Sequence, residues 1–368
     1  MKKYYDKIFL LFLPLLILMI ISLLNMINIP LIDKTLRLNF KKQIIWYILG
    51  FSCLLIIQKI NIRKILKYSF LYYILSLILL GLVLIIGKEV NGARAWFKIG
   101  FFSFQPSELM KFTLALYLAD VINNAKINGF KSELFLILKV FIITLIPSIL
   151  VFIEPDTGAI IFYVLISLIM LFTSSISKKW FILFFTILLA FLGAFTILYL
   201  YNKDLLINLI GTSFFYRVER LITFHTQSSY QLENALTAIG AASLFGTGLG
   251  KVGLYIPEAA TDFIFAFTIS NFGIFTGGIV LLCYILLDIY LIESYFKTNN
   301  KKIKLFISSF ISMFFFQQLI NISMNLGLLP IIGIPLPFLS YGGSTIIIYF
   351  LFISFILNLQ KIDNPNIL

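Results

Sequence analysis

The chain has 368 residues, of which 60% are hydrophobic and only 12% are charged. This balance excludes a soluble globular fold, which has nearer half apolar and a quarter charged residues, and indicates lipid as the main solvent. The net charge of +13 therefore indicates Lys and Arg facing an anionic leaflet rather than nucleic acid, while one His and two Cys argue against a soft-metal site, a disulfide scaffold or a His-dependent triad.

Apolar runs recur along the whole chain, and a spanning helix needs roughly 20 mostly apolar residues. The first run follows Lys2, Lys3 and Lys7, but it is too long for a signal peptide and lacks a small-residue cleavage site. The sequence predicts an all-α, polytopic membrane bundle that forms a single integral domain over residues 1–368. Its ten spans are expected near 8–28, 44–60, 68–87, 104–123, 133–153, 158–176, 180–201, 262–292, 304–326 and 343–360.

The loops predict the orientation. With ten spans both termini share a side, and that side carries 16 of the 29 Lys and Arg residues. Because positive loops favour the cytoplasm, we expect cytoplasmic termini and a large extracytoplasmic loop, 202–261, between spans seven and eight. Acidic residues collect on the outer side, as they do both in enzymes that work outside the cytoplasm and in many transporters.

Two short motifs place charges at span ends. Glu108 and Lys111 are three residues apart at the start of span four, so they share a helix face and can pair, either as a salt bridge between helices or as the wall of a polar cavity. Glu154 and Asp156 lie between spans five and six. Asp156 is expected to cap the following helix, with a role in a polar site as the alternative.

The 202–261 loop carries Arg217, Arg220 and Tyr230, then a glycine-rich stretch, and it runs through Glu258 and Thr261 to Asp262. A carboxylate at the mouth of an apolar helix is costly unless it faces water or a partner. Asp262 has two equal interpretations, the N-cap of span eight or a general base whose pKa is set by burial and a nearby cation.

The last motif is an uncharged segment with three prolines and several glycines, residues 330–344, which includes Ser340 and Tyr341. Irregular backbone at membrane depth must be buried in protein or line a cavity, so this segment is interpreted as a wall or a contact for the substrate. Gln317, Gln318, Asn321 and Asn325 form an amide stripe before it, for which interhelical hydrogen bonding is the simplest explanation.

These stretches, in this order, resemble the SEDS family (shape, elongation, division and sporulation), which includes RodA, FtsW and SpoVE. The resemblance covers about residues 81–350. The Gly-Ile-Pro-Leu-Pro-Phe wording is closer to RodA. The matching stretches are 91–96, 105–111, 155–158, 217–224, 230–231, 238–240, 257–265 and the proline–glycine segment.

The resemblance implies an inverting peptidoglycan glycosyltransferase of the bacterial cytoplasmic membrane that polymerises lipid II, with a class B penicillin-binding protein as partner. Asp262 matches the family's essential aspartate and would be the general base. Lys111, Arg217, Arg220 or a divalent cation, Mg²⁺ or Mn²⁺, would stabilise the leaving pyrophosphate. We expect substrate contacts from Glu108, Lys111, Arg217, Arg220, Tyr230, Glu258, Thr261, Ser340 and Tyr341.

Two other functions fit the same pattern: a flippase or other transporter for a lipid-linked precursor, and a non-catalytic scaffold for a partner synthase. The scaffold gains support where the chain departs from the family. Ser270 and Asn271 stand where acidic residues are usual, and Ala259 and Ala260 replace bulkier polar residues.

Overall fold

The computed structural model describes residues 2–90, 93–100, 102–212, 215, 219, 230–251 and 253–363. The described residues are mostly helical, which confirms the predicted class of helical membrane bundle. The helices are α1 (Lys2–Ile32), α2 (Asn39–Ile57), α3 (Ile62–Lys67), α4 (Ser69–Ile86), α5 (Pro106–Asn123), α6 (Phe130–Ile153), α7 (Thr157–Phe172), α8 (Lys179–Tyr201), α9 (Lys203–Ile210), α10 (Tyr230–Gly240), α11 (Ile264–Lys297), α12 (Lys301–Asn325) and α13 (Gly343–Asp363).

A small antiparallel sheet between α4 and α5 adds to the predicted all-α fold. Its strands are β1 (Lys88–Val90), β2 (Ala93–Ile99) and β3 (Phe102–Phe104), in the order β1-β2-β3. The register places Phe97 opposite Phe104. Two of the three strands have only three residues, too few for an alternating pattern, and the seven residues of β2 do not alternate strictly between apolar and polar, so the sequence did not predict the sheet.

Eight of the described helices are long and apolar enough to cross a membrane. Helices also form at the other two predicted spans. However, α5 carries Glu108, Lys111 and Asp120, and α7 has only 16 residues. The count of ten spans and the side on which the 202–261 loop lies therefore stay predictions.

Helix α5 lies at the centre of the bundle, where it packs against α4, α7, α12 and α13. Phe112 of α5 meets Phe352 and Phe355 of α13 at ring-centroid distances of 5.0 and 4.8 Å, in edge-on geometry. Such aromatic pairs contribute about 0.5–1.5 kcal/mol beyond the area that they bury. The central position of α5 explains how this helix carries Glu108 and Lys111, since both side chains are buried in protein.

Helices α2 and α13 approach closely because each presents a glycine to an aromatic ring of the other. A Cβ atom on Gly50 would lie 2.2 Å from Cδ2 of Phe350, and one on Gly343 would lie 2.0 Å from Cε2 of Trp46. Small residues allow this approach between spans, where lipid supplies no hydrophobic driving force. The contact fixes the start of α13, directly after the proline–glycine segment.

Helix α11 is kinked at Gly273, whose φ of 85° lies in the left-handed region. The segment 241–251, which contains most of the glycine-rich stretch, packs into this kink: the amide of Gly248 donates to the carbonyl of Asn271 at 2.8 Å. A Cβ atom on Gly273 would lie 2.1 Å from the carbonyl oxygen of Leu244. The glycines therefore permit close backbone approach as well as turns.

Candidate functional site

Asp262 directly precedes Phe263, which is the N-cap residue of α11. Neither residue caps the helix with its side chain; the amide of Ala266 is instead satisfied by Oδ1 of Asn325 on α12, at 2.9 Å. The interpretation of Asp262 as the N-cap of span eight is therefore wrong. A neighbouring helix supplies the cap, and no described residue donates a hydrogen bond to the Asp262 carboxylate.

The amide stripe of α12 holds the backbone around Asp262. Nδ2 of Asn321 and Nδ2 of Asn325 both donate to the carbonyl oxygen of Asp262 at 2.9 Å. Asn321 also donates to the carbonyl of Ile334 at 2.7 Å, and Gln317 donates to that of Pro335 at 2.8 Å. The prediction of hydrogen bonding between elements is confirmed, and its partners are Asp262 and the proline–glycine segment.

A second set of hydrogen bonds joins the proline–glycine segment to the residues just before Asp262. The hydroxyl of Ser340 donates to the carbonyl of Thr261 at 2.6 Å, and the amide of Tyr341 donates to that of Ala260 at 2.7 Å. The structure thus brings Thr261, Asp262, Ser340 and Tyr341 together as predicted. Burial raises the pKa of the half-buried Tyr341 phenol. That these groups touch substrate stays a prediction.

The carboxylate of Asp262 is half-buried, and among the described residues it receives no hydrogen bond and forms no ion pair. Burial, and then the like charge of Glu258, raise its pKa from 3.8 to about 6. Glu258 lies at the exposed edge of the same segment and accepts a 3.0 Å hydrogen bond from the hydroxyl of Thr261. The result is a carboxylate that is ionised at neutral pH but more basic than an ordinary aspartate.

The predicted pairing of Glu108 with Lys111 is confirmed. Their side chains are buried in α5, with Nζ 2.6 Å from Oε1, and Nζ also lies 4.8 Å from the ring centre of Phe162. The second carboxylate oxygen, Oε2, is buried and has no hydrogen-bond partner among the described residues. The ammonium group of Lys111 is therefore already paired with a carboxylate of its own helix.

Asp156 caps α7, as expected, by accepting from the amide of Ala159 at 3.3 Å. Its other oxygen, Oδ2, accepts from Nε2 of Gln105 at 2.9 Å and from the hydroxyl of Ser107 at 3.0 Å. Asp156 therefore fixes the start of α5 as well as the start of α7. The two roles predicted as alternatives, the helix cap and membership of a polar cluster, are therefore both filled by Asp156.

Glu154 is fully buried, and in the part of the chain that the structure describes neither of its carboxylate oxygens has a hydrogen-bond partner. Burial, with a smaller effect from the nearby Asp156, raises its pKa from 4.5 to about 8, so at neutral pH it holds a proton. The motif gave the position of this carboxylate in the chain, but its burial depends on tertiary packing that sequence reasoning missed.

The backbone from Ile332 to Ile334 separates this cluster from Asp262. A Cβ atom on Gly158 would lie 3.4 Å from Ile334 and 4.0 Å from the carbonyl oxygen of Ile332. On the other side, a Cβ atom on Gly333 would lie 3.6 Å from Oδ2 of Asp262. The backbone around Gly333 thus lies near both the start of α7 and Asp262. Its interpretation as a cavity wall stays a prediction.

The other predicted contacts have different outcomes. Arg217 and Arg220 lie outside the described residues. Tyr230 begins α10 and is 66% exposed, so it is open to a ligand but has no demonstrated role. In the described part of the chain, no group of three or more His, Cys, Asp or Glu side chains is arranged to hold a metal ion.

Sequence and structure comparisons agree with this architecture. The family model FtsW/RodA/SpoVE, described as cell cycle protein, matches residues 4–364. The chain is 34% identical to a probable peptidoglycan glycosyltransferase FtsW of Wigglesworthia glossinidia brevipalpis, covering 84% of this chain and 80% of that protein. It is 30% identical to the peptidoglycan glycosyltransferase MrdB of Helicobacter pylori, covering 86% and 82%.

Among solved structures, a chain of a peptidoglycan synthase complex is similar in fold, with a TM-score of 0.76 at 24% identity over 95% of this chain and 97% of that one. The relatives include both FtsW and MrdB, so the closer likeness to RodA within the family stays a prediction. The match over nearly the whole sequence, the level of identity and the shared fold show that this multi-pass membrane protein belongs to the FtsW/RodA/SpoVE family, also called SEDS.

Proposed function

We propose that this chain is an inverting peptidoglycan glycosyltransferase that polymerises lipid II, with Asp262 as the general base. The observation that carries the proposal is the state of the Asp262 carboxylate. It is held by its backbone, free of hydrogen bonds from described residues, and raised in pKa to about 6. The names of the relatives support the reaction type.

In the proposed step the 4-hydroxyl of an acceptor sugar attacks the anomeric carbon of the donor. The new bond joins the acceptor oxygen to that carbon, and the bond from the carbon to the pyrophosphate oxygen breaks with inversion. Asp262 takes the hydroxyl proton, and the lipid pyrophosphate leaves as an anion. A base whose pKa lies just below the working pH is both ionised and basic enough, and such a base contributes about 10²–10⁴-fold.

The leaving pyrophosphate needs positive charge more than it needs an acid. Because Lys111 is paired with Glu108, Arg217 and Arg220 are the proposed cations. Lys111 would bind the lipid phosphate only if its ion pair with Glu108 breaks. A divalent cation, Mg²⁺ or Mn²⁺, is the other proposed source. Mg²⁺ is usually held by one or two carboxylates together with substrate phosphates, a mode that Glu258 fits because it lies at the exposed edge of the site.

Tyr230, Thr261, Ser340 and Tyr341 are proposed substrate contacts, the last three because hydrogen bonds hold them together next to the backbone of the base. Ser340 would act through its bond to the backbone of Thr261. The undecaprenyl chain of the substrate would lie among membrane lipids in a groove between spans. No role for nucleic acid is proposed.

The location and the partner are also proposals. The chain would lie in the bacterial cytoplasmic membrane as one integral domain, residues 1–368, with cytoplasmic termini and the 202–261 loop outside. The clustered lysines at the start of α12 support this orientation. The fold's likeness to a chain of a peptidoglycan synthase complex supports a class B penicillin-binding protein as partner.

The test is polymerisation of lipid II in detergent by the purified protein together with its partner. Wild type should form glycan strands, whereas Asp262→Asn should lose at least ~10²-fold in rate. Asp33→Asn is the matched control, because it makes the same chemical change in an exposed turn, where the carboxylate accepts hydrogen bonds from the amide and the hydroxyl of Thr35. It should keep wild-type activity.

Other outcomes identify the alternative functions. Lipid II translocation in vesicles that survives Asp262→Asn, without any polymer, would indicate a transporter. A protein with neither activity that still activates its partner synthase would indicate a scaffold. Polymerisation that is unchanged after chelation with EDTA would remove the divalent cation from the proposal.

A further inference from the structure

The start of α11 has an unusual cap. Phe263, at the N-cap position, offers no side-chain acceptor, and the cap comes from Asn325 at the end of α12, 59 residues from Ala266 along the chain. Oδ1 of Asn325 accepts from the Ala266 amide, while Nδ2 donates to the carbonyl of Asp262, both at 2.9 Å. One side chain therefore satisfies a donor inside the helix and an acceptor just before it.

The orientation of this side-chain amide is fixed by its partners. Exchanging oxygen and nitrogen would place an NH₂ group against the Ala266 amide and an oxygen against the Asp262 carbonyl, so both bonds would be lost. Asn321 is oriented in the same way by the carbonyls of Asp262 and Ile334. Both asparagines are fully buried, so water does not compete for these bonds.

The position of Asp262 makes this arrangement consequential. Aspartate next to a helix start is among the preferred capping residues, and the helix N-terminus attracts a carboxylate. A carboxylate that accepts a backbone amide has a lower pKa and is a weaker base. Without another cap, the free amides at the start of α11 would compete with the substrate hydroxyl for Asp262.

We infer that Asn325 is a positioning residue that caps α11 from the neighbouring helix and so leaves the Asp262 carboxylate free to accept a proton. This inference rests on the proposed function, because it assigns Asn325 a role through the general base. Asn321 supports it by fixing the same carbonyl to the proline–glycine segment. Neither asparagine side chain bonds the carboxylate of Asp262 itself.

Few charged groups surround Asp262 among the described residues, so a change in its pKa can be assigned to a cause. Glu258, on its own segment, is the charged neighbour that raises its pKa. The residues beside Asp262 in the proline–glycine segment, Ile332 to Ile334, carry no charge. The titratable group in the rest of the proline–glycine segment is Tyr341. Helix α12 presents the neutral Asn321 and Asn325. Few described groups other than Asn325 can therefore change the pKa of Asp262 when Asn325 is substituted.

The experiment compares pH–rate profiles of lipid II polymerisation for wild type, Asn325→Ala and Asn325→Asp, each with its partner. In Asn325→Ala the vacated Ala266 amide becomes available to Asp262. The acidic limb should then move to lower pH, and kcat should fall about tenfold with KM little changed. In Asn325→Asp the cap acceptor remains but a negative charge is added, so the limb should move to higher pH.

Asn358→Ala is the matched control. It removes a buried amide that donates to the carbonyls of Ile57 and Ile60 near the other end of the bundle. It should lower thermal stability without moving the limb. If both Asn325 variants keep the wild-type limb and kcat, the inference is overturned; should Asn325→Ala not fold, the limb of Asn325→Asp decides alone.

Asp262→Asn, measured alongside, separates this inference from the proposed function. If Asp262→Asn still polymerises lipid II, the general-base assignment itself is wrong. If Asp262→Asn is inactive while the Asn325 variants behave like wild type, only the positioning role of Asn325 is lost.

Discussion

The hydroxyl of Ser340 donates a 2.6 Å hydrogen bond to the carbonyl oxygen of Thr261 and accepts a 2.8 Å bond from the amide of Leu336. Through this one buried side chain, the turn of the proline–glycine segment is tied to the residue just before the proposed base. Correct placement of Asp262 therefore depends on a side chain that lies 79 residues from Thr261 along the chain.

We expect Ser340→Ala to lower both stability and polymerisation, because it leaves a buried amide and a partly buried carbonyl without the partner that Ser340 supplies. Each such loss costs about 1–3 kcal/mol. Thermal unfolding in detergent and the rate of polymer formation measure the two effects. Ser294→Ala, which removes a buried hydroxyl bonded only to the carbonyl one turn earlier in α11, is the control and should change neither by much. Equal effects of the two substitutions would contradict the view that Ser340 positions the backbone before Asp262.

The acidic limb of the polymerisation rate should have its midpoint near pH 6, the pKa of Asp262. Because the like charge of Glu258 contributes to that value, Glu258→Gln should lower the pKa and extend activity to more acidic pH. Initial rates across about pH 5–8 measure the shift. Glu293→Gln, an exposed carboxylate on α11 paired with Lys297, should leave the limb in place. A limb that moves upward in Glu258→Gln would exclude this electrostatic coupling.

What the sequence could predict depended on distance along the chain. Apolar runs predicted the long helices, and spacing of three residues predicted the Glu108–Lys111 pair, because both depend on neighbouring residues. The cap at α11 could not be predicted in this way. It joins Asn325 to Ala266 across 59 residues. The local pattern favoured Asp262 as the cap just as strongly as it favoured Asp262 as a general base. Burial of Glu154 also required the packed bundle.

The buried pair in α5 should show strong coupling. Glu108→Gln leaves the Lys111 ammonium buried without its counter-charge, and Lys111→Met leaves the carboxylate in the same state. Breaking one partner of a buried pair typically costs about 3–5 kcal/mol, whereas replacing both is often close to neutral. We expect each single variant to unfold at lower temperature than the double variant. Additive losses in thermal unfolding would show that the two charges act independently.

Glu154 should make stability depend on pH in a predictable direction. Its pKa in the folded protein is about 8, above the ordinary value of 4.5, so the folded state retains a proton that the unfolded chain has lost. The stabilisation is complete below pH 4.5, declines as pH rises, and is gone above about 8. Glu154→Gln resembles the protonated acid and should not decline in this way.

Thermal unfolding of wild type and Glu154→Gln at several pH values between about 5 and 8 tests this, with the difference between the two proteins as the observable. Asp262 also has a raised pKa, but it titrates in both proteins and its contribution cancels. The difference should grow with pH in favour of Glu154→Gln. Glu293→Gln, at an exposed site, should show a constant difference from wild type. A constant difference for Glu154→Gln as well would mean that Glu154 reaches water or a cation in the folded protein.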